Sequence, residues 1–415
     1  MGREAERRTR ARWARALGAL VAAAGSMAVA GSMTQPSAAA PAPSGPTHPG
    51  TGGNFWMATP AGPVEAFGAT NYGSPNSLNQ PVVGASTTTS GKGYWLVAGD
   101  GGIFNYGDAP FYGSTGSIRL NKPIVGIAPT GDGLGYWMVA TDGGIFNYGD
   151  AGFHGSTGAI TLNKPVVGMA PTPDSNGYWL VASDGGIFSF GDAGFYGSTG
   201  AITLNQPIVA MAATPDGKGY WLVAADGGLF SFGDAAFYGS AAGSTGEPVE
   251  KMIPTGDGKG YWLVEQNGTA LPYGDAAGRA LPPYIVLLQP TTPGDKAVLF
   301  AVQQLGKPYI WGGNGPQGYD CSGLALTSWE DGAGVGFARV ANDQYHTAGS
   351  PVPLDQLQAG DLIFWGYVQS DWTSVYHTAI YVGNDFIVES TGNHVQLNWV
   401  NQWGLSDLMP NGRRP

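Results

Sequence analysis

Six tryptophans, Trp56, Trp95, Trp137, Trp179, Trp221 and Trp262, recur at intervals of 39, 42, 42, 42 and 41 residues, and their surroundings recur with them. Self-similarity of this kind means that each unit buries its core against its neighbours, so the repeat constrains the fold more than any other feature. The best-formed copy runs from Pro165 through VVGMA, Gly177-Tyr178-Trp179-LVA, Asp184-Gly185-Gly186-IFSF and Gly191-Asp192-Ala193 to Phe195-Tyr196-Gly197-Ser198. Each apolar run has strand length and is bounded by turn residues, so a unit reads as four short strands. The Asp-Gly between the second and third runs suits a tight hairpin, where glycine tolerates positive φ.

A period near 42 with four strands per unit predicts an all-β repeat domain over residues 54–288, built as a six-bladed β-propeller. The first unit, from Phe55, lacks a leading strand, and Pro283-Tyr284-Ile285-Val286-Leu287-Leu288 near the end of the repeats offers a replacement. Two ends that jointly complete one unit would close a ring and hide its sheet edges. An open β-solenoid is the alternative topology. Charged residues are only 12% of the chain, which excludes charged helical bundles, while 12% aromatics and 43% hydrophobics are too many for disorder. The pairs Asp100/Asp108, Asp142/Asp150, Asp184/Asp192 and Asp226/Asp234 read as turn residues rather than calcium ligands, because each sits beside glycine without dense ligand spacing. His154 stands where other units have Tyr112, Tyr196 and Tyr238, a structural substitution. No catalytic set is visible in the repeats.

The net charge of −11 argues against a nucleic-acid partner, since such binding relies on Lys and Arg neutralising phosphates. Residues 1–30 hold six Arg and two Glu, so +4, which leaves −15 for the rest. Arg7, Arg8, Arg10, Arg12 and Arg15 precede an apolar stretch from Ala16 to Ala30, the build of a secretory signal peptide over residues 1–30. A Pro/Gly/Ala-rich linker follows over 31–53. Cleavage after Ala28-Val29-Ala30 or near Ser37-Ala38-Ala39 fits, and the stretch is short for a membrane anchor. The expectation is a secreted, cell-wall-associated protein with no stable membrane insertion after leader removal.

The repeat stops at Leu288, a linker occupies 289–294, and a second domain is expected over 295–415. Thr292, Pro293 and Asp295 form a helix start ahead of KAVLFAVQQL, which ends at Gly306. The chain's single cysteine, Cys321, lies in Asp320-Cys321-Ser322-Gly323-Leu324. Asp320 as N-cap places Cys321 in the first helical turn, where the helix dipole favours a thiolate. The segment Tyr376–Glu389 reads as a hairpin turning near Gly383–Asp385, which returns Glu389 towards His377. A thiol nucleophile needs a base and the base needs an orienting group, roles open to Cys321, His377 and Glu389. Of five histidines, His48 lies in the leader-proximal segment, His154 in the repeats, His346 after a polar helical stretch and His394 in a turn. His377 opens an apolar strand, a rigid support for a base.

Tyr309-Ile310-Trp311-Gly312-Gly313, then Asp320-Cys321-Ser322-Gly323-Leu324, Arg339 with Gln344, Gly360-Asp361-Leu362-Ile363-Phe364, HTAIYVGN and Gly412-Arg413-Arg414 together resemble the NlpC family of papain-like cell-wall peptidases over about 292–414. The resemblance implies an α+β domain with the cysteine helix packed on an antiparallel sheet. It implies Cys321 as nucleophile, His377 as base and, twelve positions on, Glu389 as third residue, with His394 the fallback for that role. Tyr309 matches a residue whose hydroxyl lies near the nucleophile, and Asp320 and Ser322 match positions lining a substrate subsite. The substrate it implies is the peptidoglycan stem peptide, cut between D-glutamate and a diamino acid such as meso-diaminopimelate, without cofactor or metal. A cell-wall glycan or a protein is the expected ligand of the repeats. The competing readings are a peptidoglycan amidase or cross-bridge peptidase using the same residues, and a surface adhesion protein in which the repeats do the work.

Overall fold

The structure, a computed structural model, describes residues 54–243, 247–290, 292–383, 386–403 and 406–415. The expected signal peptide and the 31–53 linker lie outside the described residues. No helix among the described residues is long and apolar enough to cross a membrane.

The repeats form five three-stranded antiparallel sheets and one two-stranded sheet. In the best-formed unit the strands are Val166–Pro171, Gly177–Ala182 and Ile187–Gly191. The middle strand, Gly-Tyr-Trp followed by apolar residues except for a terminal Glu265 in the last copy, is buried along its whole length in all five sheets. Both its faces meet neighbouring layers, so its sequence is continuously apolar where a half-exposed strand would alternate.

The fourth strand expected in each unit does not form. The segment after Gly191 instead has its backbone groups satisfied by side chains. The Trp179 indole N–H donates to the Gly194 carbonyl at 2.6 Å, and the Tyr220 hydroxyl of the next unit donates to the Gly197 carbonyl at 2.6 Å while accepting from the Tyr196 N–H at 3.2 Å. Gly197 has φ 139°, and a Cβ there would lie 2.4 Å from the Phe232 ring. Tyr and Trp are therefore the joinery between units, and the tail is extended chain clamped across the junction. His154 takes the place of this joinery's tyrosines: its Nε2 lies 3.3 Å from the Ser175 carbonyl, as the Tyr112 hydroxyl lies 2.9 Å from that of Gly133. The turn aspartates act on local donors, with Asp184 accepting from the Gly186 N–H at 3.0 Å and Asp192 from the Thr172 hydroxyl at 2.9 Å.

The first unit supplies only Phe55–Ala58 and Val64–Phe67. The strand Tyr284–Leu287 packs against Phe55–Ala58 and Val82–Thr87, and the Leu288 N–H donates to the Ala58 carbonyl at 2.9 Å. The first strands of successive sheets pack side by side, and Val83, Val125, Val167, Val209, Glu250 and Leu287 line one cavity of about 280 Å³. Glu250 accepts from the Leu287 N–H at 2.9 Å and Lys251 donates to the Ile285 carbonyl, so side chains bridge the Val249–Pro254 strand to Tyr284–Leu287.

The C-terminal region is α+β. Its helices are α1 (Pro293–Val302), α2 (Cys321–Ala333) and α3 (Ala341–Thr347). Thr292 and Asp295 cap α1 reciprocally, so the helix begins inside the segment expected to be linker and ends at Val302, short of Gly306. The strands are β1 (Ser350–Pro353), β2 (Leu362–Gly366), β3 (Val375–Gly383), β4 (Phe386–Thr391), β5 (His394–Trp399) and β6 (Asn411–Arg414), in the antiparallel order β1-β6-β2-β3-β4-β5. Helices α1 and α2 pack on each other and on β3 and β4.

The two regions share a core. Phe386 meets Phe67 edge-on at 4.8 Å, and Phe67 stacks on Phe55 at 4.5 Å, which stacks on Tyr284 at 5.2 Å. Glu247, at the start of the last repeat, is hydrogen-bonded to the Asp295 carboxyl of α1 and is pushed up to about 9 by burial and by the Asp295 charge. This joint lies at the Gly383–Phe386 end of the β3–β4 hairpin. Six residues separate Gly383 from His377, about 20 Å of strand at ~3.3 Å per residue.

Candidate active site

Cys321 is the first residue of α2. Asp320 precedes it in extended conformation, and its Oδ1 accepts from the Gly323 N–H at 2.7 Å, which ends the chain's approach and starts the helix. The other Asp320 oxygen, Oδ2, accepts from the Gly312 N–H at 2.9 Å and from Arg339 Nη2 at 2.9 Å. Arg339 also donates to the Ser322 hydroxyl at 3.0 Å and the Gly313 carbonyl at 3.1 Å. Gln344, fully buried, fixes the Arg339 loop by donating to the carbonyls of Ser322 and Ala338. Asp320 and Ser322 are thus buried and engaged in tying the Gly312-Gly313 loop to the helix start, and the half-buried Arg339 guanidinium is ion-paired with Asp320 within the same cluster.

His377 lies near the start of β3, opposite Trp365 of β2, and their rings are 5.5 Å apart. The β3–β4 register pairs Ile380 with Val388, and continuing it sets Glu389 opposite Ala379, diagonal to His377 on the same face. The His377 Nε2 and Glu389 Oε2 are 2.5 Å apart. Glu389 has no solvent exposure, and its Oε1 accepts from the Asn398 Nδ2 of β5 at 2.6 Å. Three adjacent strands therefore present His377, Glu389 and Asn398 in one hydrogen-bonded row.

His377 is also hydrogen-bonded to Cys321. With Nε2 held by Glu389, Nδ1 is the ring atom left for the sulfur. Burial is the largest single influence on the ring and pushes its pKa down, but the hydrogen bonds and charges of Cys321 and Glu389 together outweigh it, raising the value to about 9. The imidazole is thus held as imidazolium beside the sulfur at neutral pH. Tyr309 is partly buried, and its hydroxyl is raised first by burial and then by the charges of Cys321 and Asp320.

The structure brings Cys321, His377 and Glu389 together, with Tyr309 beside them. His394 is elsewhere: it pairs with Thr391 at the β4–β5 turn, where its Nδ1 meets the Asn393 side chain. Asn398 was not singled out by sequence reasoning. Its only signal is a parity argument across β4 and β5, which needs the register. The surroundings are open, with Trp311 88% and Tyr367 76% exposed. Among the described residues no group of three or more His, Cys, Asp or Glu could hold a metal ion.

Residues 306–412 match the NlpC/P60 family. The C-terminal region therefore matches as an NlpC/P60 domain. Among curated relatives, the murein DD-endopeptidase MepH of Escherichia coli is 39% identical over 100 residues, 23% of this chain and 36% of that protein. The peptidoglycan endopeptidase RipA of Mycolicibacterium smegmatis is 33% identical over 136 residues, 28% of this chain and 26% of that protein. The gamma-D-glutamyl-L-lysine dipeptidyl-peptidase of Bacillus subtilis is 38% identical over 95 residues, 22% of this chain and 31% of that protein. This chain thus spans about a third of the length of the curated relatives it matches.

Proposed function

We propose that this chain is a secreted, cell-wall-associated cysteine endopeptidase that hydrolyses peptidoglycan stem peptides between D-glutamate and the diamino acid, with Cys321 as nucleophile, His377 as general acid and base, and Glu389 as orienting carboxylate. The observation that carries this reading is the buried Glu389–His377 pair hydrogen-bonded on to the chain's single cysteine, inside a matched NlpC/P60 domain.

The chemistry follows from the geometry. Cys321 attacks the scissile carbonyl carbon, and helix geometry leaves its own N–H without an intrahelical acceptor, aimed at the developing oxyanion. The Tyr309 hydroxyl is the second donor in this scheme. The imidazolium of His377 passes its proton to the leaving amine, then takes one from the water that releases the acyl group. Glu389, desolvated and held from behind by Asn398, keeps the ring in the orientation that serves both steps. Arg339, ion-paired with Asp320 and bonded to the Ser322 hydroxyl and the Gly313 carbonyl, braces the start of the cysteine helix against the Gly312-Gly313 loop.

The repeats read as a closed six-bladed propeller with three-stranded blades, the closing strand Tyr284–Leu287 completing the first. The support is the single cavity lined by six first strands. Because the joint lies about 20 Å along the hairpin from His377, the repeats serve to place the enzyme on the wall rather than to plug its cleft. A second reading, a cross-bridge peptidase, draws on the similarity to an enzyme named as a murein DD-endopeptidase.

Digestion of purified muropeptides followed by mass spectrometry tests the reading. New amino termini on the diamino acid, absent with Cys321→Ala, support it. Cleavage only between cross-linked stems would replace the proposed bond by the second reading, and undiminished cleavage by Cys321→Ala would remove Cys321 from the mechanism.

A further inference from the structure

The repeats supply their own internal comparison, because each position can be matched across units that solve the same packing problem. Residues 86 to 90 of the second unit, Ser-Thr-Thr-Thr-Ser, correspond to Ala128-Pro129-Thr130-Gly131-Asp132, Ala170-Pro171-Thr172-Pro173-Asp174 and Ala212-Ala213-Thr214-Pro215-Asp216. The threonine is kept throughout, since its hydroxyl serves the turn: Thr88 donates to Asp108 at 2.8 Å, as Thr130 does to Asp150 at 3.1 Å. The other four positions depart, each from a residue without a neutral hydroxyl to one with it.

Of these, Ser90 is used locally, donating to Asp108 at 2.5 Å. The hydroxyls of Ser86, Thr87 and Thr89 have no hydrogen-bond partner among the described residues, so packing does not account for them. A second departure faces them. In the last unit Lys251 replaces the Gly or Ala of Gly84, Gly126, Gly168 and Ala210, and its ammonium reaches the Ile285 carbonyl of the closing strand.

These departures converge. Ser86, Thr87, Thr89 and Lys251 line one cavity of about 420 Å³, whose apolar wall includes Ile253 and Pro283. It lies where the strand Tyr284–Leu287 packs beside the first strand of the second unit, Val82–Thr87. The volume falls in the range of small-ligand sites, ~300–1,000 Å³. No carboxylate lines it.

We infer that this cavity is a saccharide-binding subsite, which takes an uncharged, polyhydroxylated sugar of one to two rings with an N-acyl group. Neutral hydroxyls that can each donate and accept match ring hydroxyls. The Lys251 ammonium, already engaged by the Ile285 carbonyl and ion-paired with Glu250 at 3.5 Å, has a third N–H for an acyl carbonyl, and the faces of Pro283 and Ile253 cover the non-polar side of a sugar ring. The subsite deepens the placing role given to the repeats above, but it does not depend on the peptidase chemistry.

The test uses the full chain with Cys321→Ala, so that binding is measured without turnover, and a β-1,4-linked N-acetylglucosamine tetramer as probe in calorimetric titration. The variant Ser86→Ala/Thr87→Pro/Thr89→Gly carries only residues that sister repeats already accommodate at the same backbone positions, and its thermal unfolding is expected to match the parent. The inference expects binding of the tetramer, weakened at least tenfold in the variant, and weaker binding of the β-1,4-linked glucose tetramer that lacks the acyl group. It is overturned if the tetramer does not bind, if the variant binds it equally well, or if only a polyanion such as a glycerol-phosphate polymer binds. In the Cys321 background the variant should cleave soluble stem peptides at the parental rate; loss of all cleavage in both would sink the peptidase reading and leave the binding result standing.

Discussion

Replacing Glu389 by Gln keeps the shape of the row His377–Glu389–Asn398 and removes its charge. In the native site the ring holds its proton to about 9 instead of 6.5, even though burial, the largest influence, works against it. That difference is worth about 3 kcal/mol, at ~1.4 kcal/mol per pH unit. Without the carboxylate charge, burial is opposed only by Cys321, so the ring loses its proton near or below neutrality. The alkaline limb of kcat/KM, which reports loss of the imidazolium, should move from near pH 9 to below pH 7, and the rate at pH 8 should fall about 100-fold, within the ~10²–10⁴ attributed to positioned acid–base groups. Stability gives a second readout with a defined sign. A raised folded-state pKa stabilises fully below the unfolded value of 6.5 and ceases to do so as pH rises through about 9. Glu389→Gln should therefore lower the melting temperature most below pH 6.5 and least above pH 9. A pH–rate profile measured on a synthetic stem tetrapeptide, together with thermal unfolding across pH, checks both. An alkaline limb that does not move would refute the role given to Glu389.

Asn398→Leu leaves the Glu389 carboxylate short of a donor and should shift the same limb, with a rate loss of about tenfold, since a hydrogen bond to a charged group contributes ~1.5–3 kcal/mol; an unmoved profile would reduce Asn398 to a packing residue. Phe386→Ala removes the ring that joins the two regions and should cost about 3–5 kcal/mol in chemical denaturation, the range for large aromatic truncations. A value near zero would mean that the shared core contributes little. Glu247→Gln should leave stability unchanged near pH 4.5 and raise it at pH 8, on the order of 5 kcal/mol at ~1.4 kcal/mol per pH unit, because Glu247 binds a proton in the folded chain up to about pH 9 and stability falls as pH rises between those values. Equal melting temperatures for the two proteins at pH 8 would contradict that protonation state.

The site was legible because its chemistry is local in sequence. Asp320 as cap and Cys321 as first helical residue follow from neighbouring residues alone, and the β3–β4 hairpin needs only an apolar run, a glycine turn and a return. The choice between Glu389 and His394 was not legible, since it rests on register: a hairpin slipped by one residue would turn Glu389 to the other face. Asn398 needed a further strand pairing and so was invisible. In the repeats the period was readable, whereas the count of strands per unit was not. Phe195-Tyr196-Gly197-Ser198 has strand-like composition, but its hydrogen bonds go to Trp179 and Tyr220 side chains, a long-range arrangement that propensity does not encode. The shared core of the two regions, built from Phe55, Phe67 and Phe386, was likewise hidden, because nothing local distinguishes a residue buried within a domain from one buried between domains.

The most direct measurement of the central claim is rapid-quench mass spectrometry during turnover of a defined muropeptide. Because the chain has one cysteine, any thioester can be assigned without ambiguity. The expected result is a transient adduct on the peptide containing Cys321, its added mass ending at D-glutamate. Product formation with no adduct on that peptide, or with turnover retained in Cys321→Ala, would contradict the account.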